Sequence, residues 1–382
     1  MAKKRVLIFS TAYFPRVGGA EIAIRELTNR IDDFEYDLIT ALLDKDLPTS
    51  EKIGVVSVYR LGIGSPVDKL LLPFWGAYKI FQLTKQNGEY AFFWSMMVTY
   101  AGLSAYLFNV LRFWQRVPII LSLQEGDSEE HLTKRHFGLI DLSWCLALTR
   151  SNAVTALSNY LARRASRLGY KGEVSIVPNG VDTILFAKQL KQAERNKARE
   201  ALGYHKGDLV LVHTGRLVAK NAVGDIVKSL AYLPPEVKLL SIGDGELLNS
   251  LSDIAKGYNV ADRVKFIPKV DYKKLPHYLE LGDVFVRPSL SEGLGNSFLE
   301  AMSMGLPIIG TNVGGIPDFL SDRETGLVCE PGNALDISDK VKILITNKDL
   351  VNEMIKNAKV VVSERYTWDH ITKNFLAVTK SI

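Results

Sequence analysis

The stretch Ser-Glu-Gly-Leu-Gly-Asn-Ser-Phe-Leu-Glu-Ala-Met-Ser-Met-Gly-Leu-Pro, residues 291–307, decides how the fold of this chain is interpreted. It follows the run 283–287, which predicts a buried strand that Pro288 closes. Gly293 and Gly295 then allow a tight loop in which backbone N–H groups can lie against a ligand. The pattern therefore predicts a buried strand that leads directly into a ligand-binding loop.

A helix is predicted after this loop, and two carboxylates converge on its start. Asn296 and Ser297 favour the start of a helix, and Gly305 favours its end. Glu292 lies in the loop, whereas Glu300 lies one to two turns into the helix and leans back toward the helix start. The unpaired N–H groups of a helix start suit a phosphate, and carboxylates suit hydroxyl groups. A nucleotide sugar offers both, since it has a diphosphate and the hydroxyls of a ribose and a hexose.

Length and composition set the class of protein. At 382 residues the chain has room for about two or three domains. The formal net charge of +5 fits an acidic ligand or an anionic membrane surface, and it is too small to indicate nucleic acid. Cys145 and Cys329 lie far apart without metal-ligand spacing, which predicts a reducing, cytoplasmic setting and no structural zinc. The apolar run near the start is too short for a signal peptide.

Two apolar segments raise the question of membrane contact. Residues 90–111 hold no charged side chain and are long enough for a membrane span, but polar residues interrupt them. A buried strand followed by a helix is therefore favoured over a transmembrane helix. Residues 73–81 fit an amphipathic surface helix that touches lipid, and they fit core packing equally well.

Short β-branched runs alternate with helical patterns along the whole chain, which predicts an α/β protein with parallel, doubly wound sheets. Many of these runs are apolar throughout, as in strands covered on both faces. The predicted strands are 5–10, 36–42, 55–60, 118–123, 153–157 and 174–177 in the first half and 209–214, 237–242, 264–267, 284–287 and 307–310 in the second. A turn cluster at 178–182 and a solvated, charged helix within 187–202 predict a domain boundary near 180–205.

The ends of other predicted strands supply further ligand candidates. Gly18 and Gly19 follow the first strand and precede a helix, where a ligand or a plain tight turn explains the glycine pair. Arg216 and Lys220 follow the strand 209–214, at the edge where open α/β sheets bind ligands. Such cations hold a diphosphate in some proteins and lie in a solvent-exposed loop in others. Their coincidence with the two carboxylates favours the diphosphate.

Several motifs together resemble the retaining glycosyltransferases of family 4, and the resemblance covers nearly the whole chain. These motifs are GGAE at 18–21, VPNGVD at 177–182, GRL at 215–217 with Lys220, IGDG at 242–245, Glu-x7-Glu at 292–300, GGIPD at 314–318 and TGLV at 325–328. The resemblance implies a GT-B fold, in which two facing Rossmann-like domains enclose the active site in a cleft. It places the acceptor-binding domain at 1–183 with a crossover helix in 363–382, and the donor-binding domain at 184–362.

The resemblance also implies roles for the matching residues. Arg216 and Lys220 would neutralise the donor diphosphate, and Glu300 would bind the ribose. Glu292 would hold and position the sugar hydroxyls together with backbone amides of its loop. The other implied donor-binding residues are Gly18, Gly19, Gly243, Lys269, Val270, Gly293, Leu294 and Gly295, of which Lys269 and Val270 would meet the base.

The implied reaction retains the anomeric configuration by front-face attack, in which the departing phosphate oxygen takes the acceptor proton. Fixed cations do the work of Mg²⁺ in such enzymes, so we expect no metal and no cofactor beyond the nucleoside-diphosphate sugar, which is the donor substrate. Asp44 and Asp46 formally match an Asp-x-Asp metal element, but their polar loop indicates a surface position.

One position departs from the family pattern. The family commonly has a histidine after the strand that ends at Leu123, whereas this chain has Gln-Glu-Gly-Asp at 124–127. Glu125 or Asp127 would take over a contact with the sugar or the acceptor, or would act as base for the acceptor, unless the acidic group is only a helix cap. Alternatively, His131 or His136 reaches in from the following helix. The catalytic residues of the first domain stay open between these alternatives.

The acceptor and the location follow from weaker signals. The first domain of such enzymes usually binds the acceptor, here expected to be a glycan or a lipid-linked saccharide. A basic cluster on a predicted helix suits the anionic inner face of the plasma membrane, and a solvated helix face explains it equally well. The cluster consists of Arg163, Arg164, Arg167 and Lys171.

Three alternatives to a transferase fit part of the pattern. A nucleotide-sugar epimerase or a GT-B phosphorylase would bind a similar sugar, and the epimerase would turn over donor without an acceptor. A catalytically silent protein that binds sugar nucleotides is the third alternative. The complete set of two cations and two carboxylates argues against the silent protein. The predicted function is a hexosyltransferase that moves a hexose or an N-acetylhexosamine in polysaccharide or glycoconjugate biosynthesis.

Overall fold

The computed structural model describes residues 3–65, 67–126 and 139–382. The chain divides into two compact units, one formed by Met1–Asn179 with Trp368–Ile382 and the other by Gly180–Thr367. Each unit is built on one sheet, and helices connect most of its strands, as predicted for an α/β protein.

The sheet of the first unit has eight strands. They are β1 (Lys4–Phe9), β2 (Phe34–Ala41), β3 (Ser50–Ile53), β4 (Val56–Leu61), β5 (Phe92–Met96), β6 (Ile119–Leu123), β7 (Ala153–Ala156) and β8 (Val174–Ile176). Their order in the sheet is β3-β4-β2-β1-β5-β6-β7-β8. All neighbouring strands run parallel except the edge strand β3, which forms an antiparallel hairpin with β4.

Among the described residues before 180, the helices of this unit are α1 (Gly19–Arg30), α2 (Asp68–Asn87), α3 (Tyr100–Leu111), α4 (Leu139–Arg150) and α5 (Asn159–Arg167). The segment 90–111 forms β5 and α3, and every residue of β5 is buried. The predicted buried strand and helix are therefore confirmed. Within the described residues, no helix is both long enough and apolar enough to span a membrane.

The second unit has a six-stranded, fully parallel sheet. Its strands are β9 (Leu209–Thr214), β10 (Val237–Ile242), β11 (Val264–Ile267), β12 (Val284–Arg287), β13 (Ile308–Thr311) and β14 (Leu327–Cys329), in the order β11-β10-β9-β12-β13-β14. Its helices are α6 (Gln192–Ala201), α7 (Val223–Ser229), α8 (Leu248–Gly257), α9 (Leu275–Leu279), α10 (Asn296–Met304), α11 (Ala334–Thr346) and α12 (Lys348–Arg365). The strand order reverses between β9 and β12, which is where open α/β sheets bind ligands.

The last helix, α13 (Trp368–Thr379), belongs to the first unit. Its Phe375 ring lies 4.4 Å from the Trp94 ring of β5, measured between centroids. Asp369 at its start forms an ion pair of 3.4 Å with Arg30 at the end of α1. The chain thus closes on the unit in which it began.

The structure corrects the predicted basic cluster at 163–171. Arg163, Arg167 and Lys171 are exposed, but Arg164 is only 4% exposed, and its guanidinium carbon lies 4.7 Å from the centre of the Trp144 ring. Helix α5 turns this residue inward, since Leu161 and Ala165 on the same side are buried as well. The solvent-facing basic surface is therefore smaller than predicted.

Two short edge strands, β3 and β14, were not predicted as strands: β3 has the mainly polar sequence Ser-Glu-Lys-Ile, and β14 is a strand through its pairing with β13. The charged stretch 187–202 forms α6, which has no buried residue, as predicted for a solvated helix. Two of its arginines attach it to the rest of the second unit. Arg195 and Arg199 both form ion pairs with Asp283, just before β12. This helix is therefore fixed to the sheet by charge and not by apolar packing.

Candidate active site

The loops that follow β9, β10, β12 and β13 meet at the carboxyl-terminal edge of the second sheet. The loop after β9 contacts the loop after β10 through backbone atoms, with Leu217 N donating to Asp244 O at 2.9 Å. A Cβ atom at position 243 would lie 2.0 Å from the carbonyl oxygen of Gly215. Gly243 is therefore needed for this close approach, and it supports the loop that carries Arg216.

The loop after β12 is held in the same way by the loop after β13. Gly315 N donates to the carbonyl oxygen of Glu292 at 3.1 Å. Gly314 has φ +57°, and a Cβ atom there would lie 1.8 Å from that carbonyl oxygen. Helix α10 then begins after Gly295 and ends before Gly305, at the boundaries that the sequence predicts. The backbone of Glu292 is thus fixed by a neighbouring glycine turn.

Arg287, the last residue of β12, holds the side chain of Glu292. It is 9% exposed, and its Nη2 donates to Glu292 Oε2 at 2.7 Å and to Asn221 Oδ1 at 3.2 Å. Its Nη1 donates to Ser297 Oγ at 2.6 Å and to the Thr214 carbonyl oxygen at 3.3 Å. One buried guanidinium therefore joins the ends of β9 and β12, the segment before α7 and the start of α10.

The same network reaches the two predicted cations. Asn221 Nδ2 donates to the carbonyl oxygen of Arg216 at 2.6 Å, and Leu290 N donates to the carbonyl oxygen of Lys220 at 2.7 Å. The Arg216 side chain is exposed, whereas Lys220 is half-buried. The structure thus brings the segments of Arg216, Lys220 and Glu292 together at one edge of the sheet, as predicted.

Glu300 lies at the middle of α10 and is 7% exposed. Burial raises the pKa of its carboxyl group to about 7, while a hydrogen bond with Tyr272 and the positive charge of Arg287 act in the opposite direction. Arg287 therefore influences both carboxylates of the Glu-x7-Glu motif. The charged form of Glu300 has a partner in Tyr272, three residues after Lys269.

The remaining donor-binding residues predicted for this unit differ in exposure. Lys269 is exposed and Val270 is half-buried, just after β11 and before Tyr272. Gly293 and Gly295 are buried, and the Leu294 side chain is 2% exposed, so it packs inward. In this loop any ligand contact therefore falls to backbone groups and not to the Leu294 side chain.

The first unit has its own cluster at the carboxyl-terminal edge of its sheet. Gly18 caps α1, and its N–H donates to Glu21 Oε2 at 2.8 Å. Asn179 Nδ2 donates to the Gly19 carbonyl oxygen at 3.5 Å, and Gln124 Nε2 donates to Asn179 Oδ1 at 3.3 Å. The glycine pair after β1 is thus linked to the residues that follow β6 and β8.

Glu125 follows β6 in the same cluster. Its Oε1 accepts a hydrogen bond of 2.6 Å from Val98 N, and its Oε2 is buried without a partner among the described residues. Burial raises the pKa of this carboxyl group, and the backbone hydrogen bonds and the charge of Arg164 oppose the rise. Glu125 is therefore available as a buried acidic group. The other candidates, Asp127, His131 and His136, lie outside the described residues.

The predicted surface position of the Asp-x-Asp element is confirmed. Asp44 and Asp46 are both exposed, and Asp46 N donates to Asp44 Oδ1 at 3.1 Å within the turn. Asp44 therefore binds its own backbone in a short turn.

Sequence reasoning missed three residues of the site, namely Arg287, Asn221 and Tyr272. Arg287 was assigned to the buried strand 283–287 without a role. An arginine at the end of a strand that is covered on both faces is a usable signal, because a buried guanidinium requires acidic or carbonyl partners. Asn221 and Tyr272 carry no comparable signal, since their contacts come from segments distant in sequence.

Comparisons with known proteins place the chain in context. The family model described as "Glycosyl transferases group 1" matches residues 194–361, and the one described as "Glycosyltransferase Family 4" matches residues 17–185. The chain is 28% identical over 231 residues to an N-acetyl-alpha-D-glucosaminyl L-malate synthase of Bacillus anthracis, which is 60% of this chain and 59% of the relative.

Two further proteins are similar in sequence or in structure. A GDP-mannose-dependent alpha-(1-6)-phosphatidylinositol monomannoside mannosyltransferase of Mycobacterium tuberculosis is 30% identical over 57% of this chain and 59% of its own length. The chain thus aligns with about three fifths of these two curated relatives. The structure of Anabaena HepE in complex with UDP-glucose is 19% identical, covers 99% of this chain and 100% of its own, and superposes with a TM-score of 0.80. This likeness and the two α/β units confirm the predicted GT-B fold.

Proposed function

Because the chain belongs to the group 1 glycosyltransferases of family 4, we propose that it is a retaining hexosyltransferase that uses a nucleoside-diphosphate sugar. The observation that carries this proposal is the buried Arg287, which binds Glu292 and connects it to the segments of Arg216 and Lys220. Such a network fixes the Glu292 carboxylate and the backbone that carries the two cations before a ligand arrives, and a preorganised site of this kind avoids reorganisation during the reaction.

In this proposal the donor is held from both ends. Arg216 and Lys220 bind the diphosphate, and Glu300 accepts hydrogen bonds from the ribose hydroxyls. Arg287 and Ser289 both contact Glu292 Oε2, so Glu292 Oε1 is the atom proposed to accept from the sugar hydroxyls. The segment 269–272 lies at the end of β11, where it would meet the base. The M. tuberculosis relative is named as GDP-mannose-dependent, whereas the HepE structure contains UDP-glucose. These two proteins therefore do not indicate which nucleotide base this chain binds.

The proposed reaction breaks the bond between the anomeric carbon and the phosphate oxygen and forms a bond from that carbon to the acceptor oxygen on the same face. The acceptor hydroxyl gives its proton to the departing phosphate oxygen. Arg216 and Lys220 stabilise the negative charge that develops on this diphosphate, so the proposed reaction proceeds without a metal ion. Glu125 in the first unit is proposed to contact the acceptor.

The acceptor is proposed to be a glycan or a lipid-linked saccharide in glycoconjugate biosynthesis, handled at the cytoplasmic face of the plasma membrane. The M. tuberculosis relative supports a lipid acceptor, since its name gives a phosphatidylinositol monomannoside as the molecule that it extends. An epimerase or a phosphorylase finds no specific support in the contacts of the described residues.

A donor screen tests the proposal directly. A panel of UDP-, GDP- and ADP-sugars should contain at least one member that raises the Tm, because a ligand that binds only the native state stabilises it by mass action. Arg216→Met should weaken donor binding by roughly 30-fold, which corresponds to about 2 kcal/mol for a charge-assisted contact to phosphate. Lys256→Met is the matched control, since Lys256 is an exposed cation on α8.

Transfer itself tests the role of Glu292. Glu292→Gln should lower transfer by at least about 100-fold, as expected for loss of a preorganised charge, and added EDTA should leave the wild-type rate unchanged. The Gln carbonyl oxygen can still accept from Arg287, so the circular dichroism spectrum should be retained. Unchanged turnover by this variant, or consumption of the donor in the absence of any acceptor, would contradict the proposal.

A further inference from the structure

The outer face of α2 carries a continuous row of exposed apolar side chains. Leu70, Leu71, Phe74, Tyr78 and Phe81, here called the α2 face, are between 40% and 66% exposed. Their spacing of three and four residues places them on one side of the helix, over a length of roughly 17 Å at 1.5 Å per residue. A helix face that is exposed to water is normally polar, so this row requires an explanation.

The opposite side of α2 is fully engaged in the core of the first unit. Leu72, Ile80 and Leu83 are at most 1% exposed, and Ser104 Oγ on α3 donates to the Leu72 carbonyl oxygen at 3.0 Å. The side chain of Asp68 accepts three backbone N–H bonds from residues 63–65 and so fixes the start of the helix. The helix therefore cannot rotate to bury the α2 face without losing its core contacts.

A second exposed apolar group lies beside the end of α2. Phe113 and Trp114 follow α3 and are each 68% exposed. The residue before them, Arg112, binds Glu89 just after α2, which places this turn next to the end of α2. Among the described residues, every exposed phenylalanine and tryptophan belongs either to the α2 face or to this aromatic turn.

The charges around these apolar residues are mainly positive. Lys85, four residues after Phe81 and on the same side of α2, is exposed, and so is Arg116 after the aromatic turn. The acidic groups nearby are already engaged, since Asp68 is buried in its backbone contacts and Glu89 pairs with Arg112. Unpaired basic groups around apolar and aromatic side chains complement a partner that has an apolar interior and anionic groups at its surface.

We propose that the α2 face and the aromatic turn form a docking surface for a lipid bilayer that carries anionic headgroups. The helix lies in the interface with Phe74 and Phe81 among the acyl chains, and Lys85 and Arg116 reach the headgroups. The purpose of this docking rests on the proposed function, because it brings the first unit to a lipid-linked acceptor. The docking itself requires neither donor nor catalysis.

The proposal resolves the two interpretations of residues 73–81, lipid contact and core packing. Both apply to α2, one on each side of the helix. It also moves the expected membrane contact away from the cluster at 163–171, where Arg164 is buried.

Vesicle sedimentation of the full chain tests this surface. The wild type should bind vesicles that contain phosphatidylglycerol and bind pure phosphatidylcholine vesicles at least roughly tenfold less. The double variant Phe74→Ser/Phe81→Ser should lose at least roughly tenfold in partition to the anionic vesicles, because two large apolar side chains no longer enter the bilayer. Lys85→Gln/Arg116→Gln should bind the anionic vesicles less tightly than the wild type, and added salt should weaken wild-type binding in the same way.

The matched control is Leu335→Ser/Ile345→Ser, which removes two exposed apolar residues from α11 in the second unit. Its vesicle binding should equal that of the wild type, and the Tm of each variant shows that it has folded. Equal vesicle binding by the α2 variant and the wild type would overturn the proposal. A dimer that light scattering detects in the wild type and not in Phe74→Ser/Phe81→Ser would also overturn it, because the face would then be covered by a second copy.

Donor binding separates this inference from the proposed function. The α2 variant should keep the full donor-induced rise in Tm, because Arg216, Lys220 and Glu292 belong to the other unit. Vesicle binding without any donor response would leave the docking surface intact and would contradict the proposed function alone.

Discussion

Arg287 and Glu292 form a largely buried ion pair, with Nη2 and Oε2 2.7 Å apart and with side chains that are 11% and 12% exposed. Arg287 ends β12, and Glu292 lies in the loop that leads to α10, so the pair ties the loop to the sheet. The guanidinium also binds groups from three other segments of the site. Arg287 is thus the main side-chain contact that fixes the proposed catalytic carboxylate, beside the weaker contact of Ser289.

Replacement of this arginine should therefore damage both stability and activity. Arg287→Met leaves the Glu292 carboxylate without its partner, and loss of one member of a buried pair costs about 3–5 kcal/mol. Arg287→Lys keeps the charge, but an ammonium group cannot make the separate hydrogen bonds of the planar guanidinium. Compared with Arg287→Met, it should therefore regain part of the stability and little of the transfer activity. Chemical denaturation and a transfer assay measure the two effects. Wild-type turnover by Arg287→Lys would show that the hydrogen bonds of the guanidinium are dispensable for transfer.

The contact between Gly314 and the Glu292 carbonyl oxygen can be tested with two alanine substitutions. Gly332 also has a positive φ, +74°, but no atom lies within 4 Å of a Cβ atom built there. Gly332→Ala should therefore cost only the backbone strain of about 1 kcal/mol. Gly314→Ala should cost about 2 kcal/mol more and should reduce transfer, because its Cβ displaces the Glu292 loop. Equal losses of unfolding free energy in the two variants would show that the loop yields without cost.

The raised pKa of Glu300 predicts a pH dependence of stability. The carboxyl group titrates near 7 in the folded chain against 4.5 as its ordinary value, so between these values the folded state holds a proton that the unfolded state has released. The unfolding free energy that this group contributes is fully present below pH 4.5 and is lost as the pH rises through about 7. Relative to the wild type, Glu300→Gln should gain stability from about pH 5 to about pH 8.

Urea denaturation at a series of pH values measures this gain. Glu353→Gln is the control for removal of one carboxylate at an exposed position, on α12. A difference between Glu300→Gln and the wild type that stays constant with pH would contradict the raised pKa of Glu300.

Glu125 provides a test in the first unit. Glu125→Gln keeps an oxygen that can accept from Val98 N, so the fold should persist. If this group serves the acceptor, transfer should fall by at least about tenfold, while the donor-induced rise in Tm is unchanged. Glu173→Gln, at an exposed glutamate of the same unit, should behave like the wild type. Full transfer activity in Glu125→Gln would remove this residue from the acceptor site.

The main features of the fold were predictable because they depend on local signals. The apolar runs that became β9, β10 and β12 are covered on both faces, and the helix after Gly295 begins and ends at glycines. The short strand β14 was not predicted, because pairing with β13 and not its own composition makes it a strand. Edge strands of this length depend on their neighbours.

The site was predictable only as far as its motifs reach. Glu292, Glu300, Arg216 and Lys220 stand at motif positions, whereas Tyr272 and Asn221 take part through contacts that only the folded chain creates. The error at Arg164 has the same origin, since a run of basic residues does not show which of them the helix turns toward Trp144. A run of charged residues shows which side chains a helix carries. It does not show which of them the helix turns toward the core.

The glycine contacts between the four loops of the second unit have a consequence for any attempt to change the proposed donor. Because these loops touch through backbone atoms, a new side chain at Gly243 or Gly314 shifts two loops at once instead of reshaping one pocket wall. Directed evolution toward another sugar nucleotide would therefore succeed at positions whose side chains project from this frame, such as Lys269 and Val270. Libraries that randomise the glycines would mostly contain destabilised proteins.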